Sequence, residues 1–325
     1  MKAKTDIPYG LLRHHDEMLR IGGRILMHTA LRALRPAPNS DASVAPSPAA
    51  IARITRTIAA PPEELVEHYI NWADAWAGAA GRYDAELPPH MVSQWSLPLV
   101  GELLLRLPYR LAGVINQGAS LCVRGPLPRG APLIVDAAVE RIEQSAGRTK
   151  VTVAITTGTA LRTDLVEARL HMSFLSPGPR APRVAPARPP EPRWRTAGLW
   201  HADADDGMRF ALLTGDFNPI HWCGPLARRS VFGGKVLHGF ASLVRSYEAM
   251  EPGDFNEIDV RFVRPVPLPC SALSVQVAPA DSADADGWRA LRLAGAGNAL
   301  HLAGRLRSCD ATRTTDISPP AARRL

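Results

Sequence analysis

A proline-rich segment at residues 177–195 constrains the fold more than any other feature of this chain. The segment, PGPRAPRVAPARPPEPRWR, holds seven of the chain's 30 prolines. Proline fixes φ and has no backbone N–H to donate, so neither a helix nor a strand can run through the segment uninterrupted. We therefore predict a Pro/Arg-rich linker at 177–195 between an N-terminal part, 51–176, and a C-terminal part, 196–310.

The two parts have the same predicted order of elements. In each, an apolar segment with helical spacing precedes several short segments in which apolar and polar residues alternate, as they do in strands. The helices are MVSQWSLPLVGELLLRL in the first part and KVLHGFASLVRSYEAM in the second, the latter starting near Leu237. This order predicts an α+β fold with an internal duplication, in which each part is an antiparallel sheet wrapped around a central helix.

The segments at the two ends are predicted to lie outside these parts. Residues 1–50 are expected to form an N-terminal helix followed by a flexible tether, and 311–325 a C-terminal tail. The apolar positions of the helix are interrupted by charges and by Gly22-Gly23, which makes it a poor signal peptide. We expect it to pack on the protein body, with a membrane-surface or partner-docking helix as the alternative. No run of 18 apolar residues occurs, so no membrane span is predicted.

The net charge of +7 is confined to segments outside the two parts. Residues 1–36 hold seven Lys or Arg and three acids, and 177–195 hold five Arg and one acid, which together give +8. The remaining chain is therefore close to neutral and lacks the basic face that binds a phosphate backbone. We predict no nucleic-acid partner.

Four cysteines are too few and too scattered for a disulfide framework, namely Cys122, Cys223, Cys270 and Cys309. A reducing, cytoplasmic location is the simpler interpretation. Cys223 could in principle join Asp216, His221 and His238 in a zinc site, or act as a nucleophile. The short His-x-Cys spacing, without a second clustered pair, disfavours both, and we predict no metal.

The segment LLTGDFNPIHWCGP, 212–225, places an acid, an amide and an imidazole at Asp216, Asn218 and His221. His238-Gly239 follows thirteen residues after it. The motifs TGDFNPIHW, SVFGGKVLHGF and VRFVRPV resemble the MaoC-like family of (R)-specific enoyl-CoA hydratases, over about 205–268. Residues 55–176 resemble, more weakly, the non-catalytic front domain of double hot-dog members. The family often has an acid where this chain has Cys223, which bears on how the loop is anchored.

The resemblance implies a double hot-dog fold with one active site, in the C-terminal half. Asp216 and His221 would be the catalytic pair around one water, and the Gly239 N–H at a helix start would stabilise the enolate oxygen. A side chain at 239 would then project near the thioester carbonyl. Supporting residues of the loop would be Gly215, Asn218, Pro219 and His238. Candidates for binding the substrate phosphates are Arg228, Arg229 and Lys235, with a solvated basic rim as the alternative.

The implied reaction is the reversible hydration of trans-2-enoyl-CoA to (R)-3-hydroxyacyl-CoA, in fatty-acid or polyketide-type metabolism. The chain would then be a hydro-lyase, an enoyl-CoA hydratase 2 or 3-hydroxyacyl-thioester dehydratase. It needs no cofactor besides coenzyme A or phosphopantetheine as part of the substrate. Two alternatives are a dehydratase acting on acyl-carrier-protein thioesters and a non-catalytic acyl-thioester-binding protein. The sequence does not fix the oligomeric state, and a homodimer is compatible with it. In the N-terminal part, His90 stands without an acid partner in a comparable segment, and we expect it to have no role in acid-base chemistry.

Overall fold

The computed structural model describes seven stretches of the chain: 6–33, 46–74, 82–111, 114–145, 147–175, 191–250 and 252–308. Most of the predicted tether, most of the predicted linker and the predicted tail lie outside these residues.

Six α-helices and twelve strands occur in the described residues. The helices are α1 Asp16–Ala33, α2 Glu63–Asp74, α3 Val92–Leu105, α4 Asp206–Thr214, α5 Gly224–Arg229 and α6 Gly239–Glu248. The strands of the first half are β1 Ile54–Ile58, β2 Glu86–Leu87, β3 Val114–Val123, β4 Leu127–Pro128, β5 Leu133–Ser145, β6 Arg148–Gly158 and β7 Val166–Leu175. Those of the second half are β8 Arg195–Ala202, β9 Glu257–Phe262, β10 Cys270–Val277, β11 Arg289–Ala294 and β12 Leu300–Arg307.

Ten of the strands form one antiparallel sheet in the order β1-β5-β6-β7-β3-β9-β12-β11-β10-β8, and the short strands β2 and β4 pair separately. The order on one side of the β3–β9 junction repeats on the other side in reverse. Strand β1 corresponds to β8, and β3 to β9. The helices follow the same rule, because α2 and α4 come after the first strand of each half and α3 and α6 precede the strand at the junction. The predicted duplication is therefore visible in the topology.

The two halves are joined edge to edge rather than separated. Strand β3 pairs with β9 from Gly118 opposite Arg261 to Cys122 opposite Glu257. Buried apolar residues of both halves belong to one continuous core, which includes Leu99 and Leu103 of α3 and Leu243 and Val244 of α6. The prediction of two sheets is thus realised as two five-stranded halves of one sheet, each with its own central helix.

A buried ion pair joins α4 to α6, and a tryptophan of the other half donates a hydrogen bond to it. Asp206, at the start of α4, accepts hydrogen bonds from Arg245 of α6 at 3.0 Å and from the indole N–H of Trp72 of α2 at 3.2 Å. The Arg245 guanidinium also lies 4.1 Å from the Trp72 ring centroid. Both ions are almost fully buried, so their mutual contact and the indole compensate for the loss of water. This pair fixes the first turn of α4.

The N-terminal helix packs on the protein body, as the first of its two interpretations expects. Ile21 of α1 lies against Gly101 of α3, where an added Cβ would come within 2.6 Å of its side chain. The other face of α1 leaves several large apolar side chains exposed, namely Leu19, Leu26, Met27 and Leu31. None of the helices in the described residues is long and apolar enough to cross a membrane.

Candidate active site

The predicted site loop begins where α4 ends. Gly215 caps this helix with φ +82°, a left-handed conformation that glycine adopts without steric cost, and its N–H donates to the Ala211 carbonyl at 2.8 Å. The Thr214 hydroxyl donates to the Phe210 carbonyl at 2.8 Å and accepts from the Asp216 N–H at 3.4 Å. The capped end of α4 therefore fixes the backbone position of Asp216.

The next residues form a compact turn. The Asp216 carboxylate accepts a hydrogen bond from the Asn218 N–H at 3.3 Å, and the Asn218 side chain accepts one from the Ile220 N–H at 3.3 Å. Asn218 thereby caps a single 3-10 turn over Pro219–His221, in which proline occupies the first position. We call residues 215–221 the catalytic turn, after the role that the sequence predicts for Asp216 and His221. It brings Asp216 and His221 to the same side of the loop, although they are five residues apart.

His221 is held in one tautomer. Its Nδ1 donates to the Val236 carbonyl at 2.8 Å, which leaves Nε2 unprotonated in the neutral ring. Its exposed fraction is 9%, and burial lowers its pKa from 6.5, against a smaller opposing effect of Asp216. The imidazole is therefore neutral at pH 7 and able to accept a proton.

His238 supports the turn from the other side. Its ring stacks on that of His221 with centroids 3.6 Å apart, and its Nε2 donates to the Asp216 carbonyl at 3.0 Å. Burial, with a further contribution from the neighbouring His221, lowers the pKa of His238 to about 3. A neutral, buried ring that stacks on His221 and donates to the Asp216 backbone helps to position both residues.

The carboxylate of Asp216 and ring nitrogens of His221 and His238 all lie within 4.8 Å of one another. One water can hydrogen-bond to two groups up to about 5.6 Å apart, twice the usual O–H···O distance. The Asp216 side chain is 41% exposed, so this position is open to a substrate. Of the four residues considered from the sequence for a zinc site, Asp216, His221 and His238 thus lie together, and Cys223 is not in the group.

Helix α6 begins at Gly239, two residues later than expected, with His238 as its N-cap. The Gly239 N–H belongs to the first turn and therefore has no acceptor within the helix. A side chain at 239 would meet the Phe262 ring of β9, because a Cβ there would lie 2.5 Å from it, so packing also favours glycine at this position. The projection of such a side chain toward the thioester carbonyl stays a prediction.

The three basic residues predicted to bind the substrate phosphates differ in their surroundings. Arg228 and Arg229 lie in the last turn of α5 and are exposed. Lys235 instead donates through Nζ to the Ala204 carbonyl at 2.6 Å. The two arginines are therefore the freer of the three to reach an anion.

Two residues that the sequence did not single out hold the catalytic turn. Gly207 of α4 lies so close to His221 that a Cβ on it would be 1.9 Å from the His221 carbonyl oxygen. His15, almost 200 positions earlier, donates through Nε2 to the Leu212 carbonyl at 2.6 Å. Neither contact has a local sequence signal, because each joins elements that are distant along the chain.

His90 has no acid partner in its own segment, but the structure gives it one from the other half. Its Nε2 lies 2.6 Å from a carboxylate oxygen of Glu248, the last residue of α6, and the Tyr83 hydroxyl donates to the same oxygen at 2.6 Å. Arg82 pairs with the other oxygen at 2.5 Å. All but Arg82 are buried, and the hydrogen bond from His90 helps to hold the pKa of Glu248 below its usual value, against the opposing and larger effect of burial. The acid comes from the other half of the chain.

The sequence of the C-terminal half matches a known family. Residues 183–285 match the model of the MaoC like domain, a range that contains the catalytic turn and the start of α6. The chain therefore contains a MaoC-like dehydratase domain, of a family whose members hydrate or dehydrate acyl thioesters. No curated protein sequence matches the chain.

Solved structures confirm the fold over about four-fifths of the chain. HtdX of Mycobacterium tuberculosis superposes with a TM-score of 0.63 at 18% identity, covering 79% of this chain and 100% of that one. A MaoC-like dehydratase from Phytophthora capsici gives 0.60 at 16% identity, covering 81% and 97%. The full-length peroxisomal multifunctional enzyme type 2 from Drosophila melanogaster gives 0.57 at 17% identity, covering 78% and 48%. The predicted α+β double hot dog is confirmed.

Proposed function

We propose that this protein catalyses the reversible syn hydration of a trans-2-enoyl thioester to the (R)-3-hydroxyacyl thioester, with coenzyme A as the thiol carrier. One observation carries the proposal. The catalytic turn holds an exposed carboxylate and a neutral imidazole within 4.8 Å, and the His221 ring stacks on that of His238, the N-cap of a helix whose first N–H groups have no acceptor within the helix.

Each chemical requirement of the reaction has a candidate group. The water must be oriented and must lose a proton as its oxygen bonds to C3, and His221 Nε2 is the base for this step. Asp216 orients the same water. C2 gains a proton from the pair as the double bond is lost, so that one H and one OH are added and no electron carrier is needed. Negative charge that develops on the thioester oxygen would be stabilised by the Gly239 N–H and the positive end of α6.

Two alternatives differ from this proposal, one in the thiol carrier of the substrate and the other in lacking turnover. A carrier-protein thioester presents the same acyl group on phosphopantetheine, so the catalytic turn does not discriminate against it. A non-catalytic thioester-binding protein would have no need for an acid beside a neutral histidine, so the pair favours turnover.

A hydration assay tests the proposal. Loss of the conjugated enoyl thioester would be followed by absorbance for a series of trans-2-enoyl-CoA substrates, and for the same acyl groups on carrier protein. Wild-type turnover is expected, with kcat lowered about 10²- to 10⁴-fold in Asp216→Asn and in His221→Ala, the usual contribution of a positioned acid or base. Near-wild-type kcat in either variant would refute the assignment. Faster turnover on carrier protein would replace the coenzyme A form by the first alternative, and binding without turnover would support the second.

A further inference from the structure

The N-terminal segment reaches the C-terminal half at the catalytic turn. His15 Nε2 donates to the Leu212 carbonyl at 2.6 Å. Leu212 lies in the last turn of α4, which ends before Gly215. Backbone carbonyls in the last turn of a helix have no N–H donor within the helix. The imidazole of His15 therefore caps the helix end from outside, at a buried position where an unpaired carbonyl would be costly.

The same segment contacts both neighbours of Asp216. A Cβ added at Gly215 would lie 3.0 Å from His15 Nδ1 and 3.0 Å from Met18 Cγ, so these side chains lie directly against that backbone. The His15 ring also meets the Phe217 ring edge-on, with centroids 5.8 Å apart. Residues 215 and 217 are thus both packed against the N-terminal segment.

The segment itself is anchored on the N-terminal half. Leu11 is fully buried in the core. Arg13 and His14 contact Glu64 of α2, the latter at 3.4 Å, and Glu17 pairs with Arg56 of β1. We call residues 9–18 the N-terminal brace, because they connect a fixed surface on one half to the catalytic turn of the other.

Asp216 depends on its backbone for its position. Its carboxylate is 41% exposed and receives a hydrogen bond from within the turn, from the Asn218 N–H at 3.3 Å. A weakly held side chain of this kind follows any movement of residues 215–217. Those are the residues that the brace contacts.

We propose that His15 and Met18 are positioning residues for the reaction, which hold the catalytic turn in the geometry that Asp216 and His221 need. The inference rests on the proposed function for its kinetic consequence. Its structural part, the ordering of the turn by the brace, stands independently of activity. A displacement of about 1 Å in a catalytic group lowers kcat by about 10²-fold, so loss of the His15 contact should cost about 10- to 100-fold.

The experiment compares His15→Ala, His15→Gln and, as the control, His68→Ala in the full chain. His68 is an exposed histidine of α2 and lies outside the brace. Amide hydrogen exchange over residues 212–222 is measured by mass spectrometry, together with kcat and KM for hydration. In His15→Ala we expect faster exchange in that stretch, with kcat about 10- to 100-fold lower and KM within about threefold. His15→Gln, whose amide can still donate to the Leu212 carbonyl, should recover part of both losses.

The outcomes separate this inference from the proposed function. Unchanged exchange in folded His15→Ala, or an equal increase in His68→Ala, would overturn it. If the wild-type protein proves inactive on enoyl thioesters, the proposed function fails and the exchange comparison alone decides the positioning role. If His15→Ala does not fold, Met18→Ala takes its place, with the same increase in exchange expected.

Discussion

Replacing Gly207 by alanine should disable the site without touching a catalytic group. Gly207 is the second residue of α4, and its ideal Cβ would lie 1.9 Å from the carbonyl oxygen of His221 and 2.7 Å from the carbonyl carbon. Real Cβ atoms essentially never come closer than 3.0 Å, so the His221 backbone must move by at least about 1.1 Å. Backbone atoms of a capped turn cannot rotate out of the way as a side-chain tip can.

The expected magnitude follows from that displacement. A shift of about 1 Å in a catalytic group costs about 10²-fold in rate, and we expect this loss in kcat for hydration. Stability should change far less, because overpacking costs about 1–3 kcal/mol while alanine gains about 1 kcal/mol of helix propensity over glycine. The net loss of unfolding free energy is therefore between about 0 and 2 kcal/mol.

The assay measures kcat and KM for hydration together with urea unfolding of the same preparations. Gly23→Ala is the matched control, since Gly23 is also helical but a Cβ there meets nothing within 4 Å. It should retain wild-type kcat and gain up to about 1 kcal/mol of stability. Wild-type kcat and stability in Gly207→Ala would refute the view that α4 sets the position of His221.

Three further predictions concern titratable groups. The double variant Asp216→Asn/His221→Ala should be no more than about tenfold slower than the poorer single variant, because both groups act on one water; multiplicative losses in steady-state hydration would contradict this. His90→Ala should cost about 3 kcal/mol in urea unfolding, since it removes a partner from buried Glu248, while kcat of the folded protein stays within about threefold; a hundredfold loss would indicate a second or shared site. The free energy of unfolding should fall as pH drops below the unfolded histidine value of 6.5, because burial lowers the pKa of His238 to about 3 and the unfolded chain binds a proton that the folded protein excludes. The contribution of this group to the free energy of unfolding is complete above pH 6.5. Below that it falls by up to about 1.4 kcal/mol for each pH unit, until the pH reaches about 3. Equal free energies of unfolding in urea at pH 7 and pH 5 would contradict the burial of His238.

The elements with strong periodicity were predictable from the sequence. Helices α3 and α6 and the strands that follow them combine long apolar patterns with clear turn residues, so their existence depends little on the rest of the chain. Pro98 lies inside α3 without ending it, because the helix is buried on nearly all sides and packing outweighs the missing hydrogen bond. The acid, amide and imidazole of the catalytic turn were visible for a similar reason, since all three lie within six residues.

Strands β1 and β8 were not predicted, because β1 has only five residues and follows a proline-rich stretch, and β8 begins at the end of another. Strand β8 begins at Arg195, the last residue of the predicted linker. Only pairing with β10 makes it a strand, and this pairing joins segments about 75 residues apart. The contacts of His15 and Gly207 with the turn, and the pairing of His90 with Glu248, likewise join elements that are separate along the chain. Patterns along the chain describe local periodicity, and these contacts depend on how whole elements pack.

The duplicated fold also explains why the two histidines that precede the central helices differ in their chemistry. His90 lies just before α3 and His238 just before α6, at corresponding positions of the two halves. Around His90 the site is filled by Glu248, Tyr83 and Tyr69, all buried, so no substrate can reach the ring. Glu248 is the last residue of α6, where the helix dipole disfavours a carboxylate, and the groups that compensate it come from the N-terminal half. Helix α6, ten residues and about 15 Å long, therefore has two roles. Its first residue, Gly239, lies at the candidate active site, and its last residue, Glu248, fills the corresponding site of the other half.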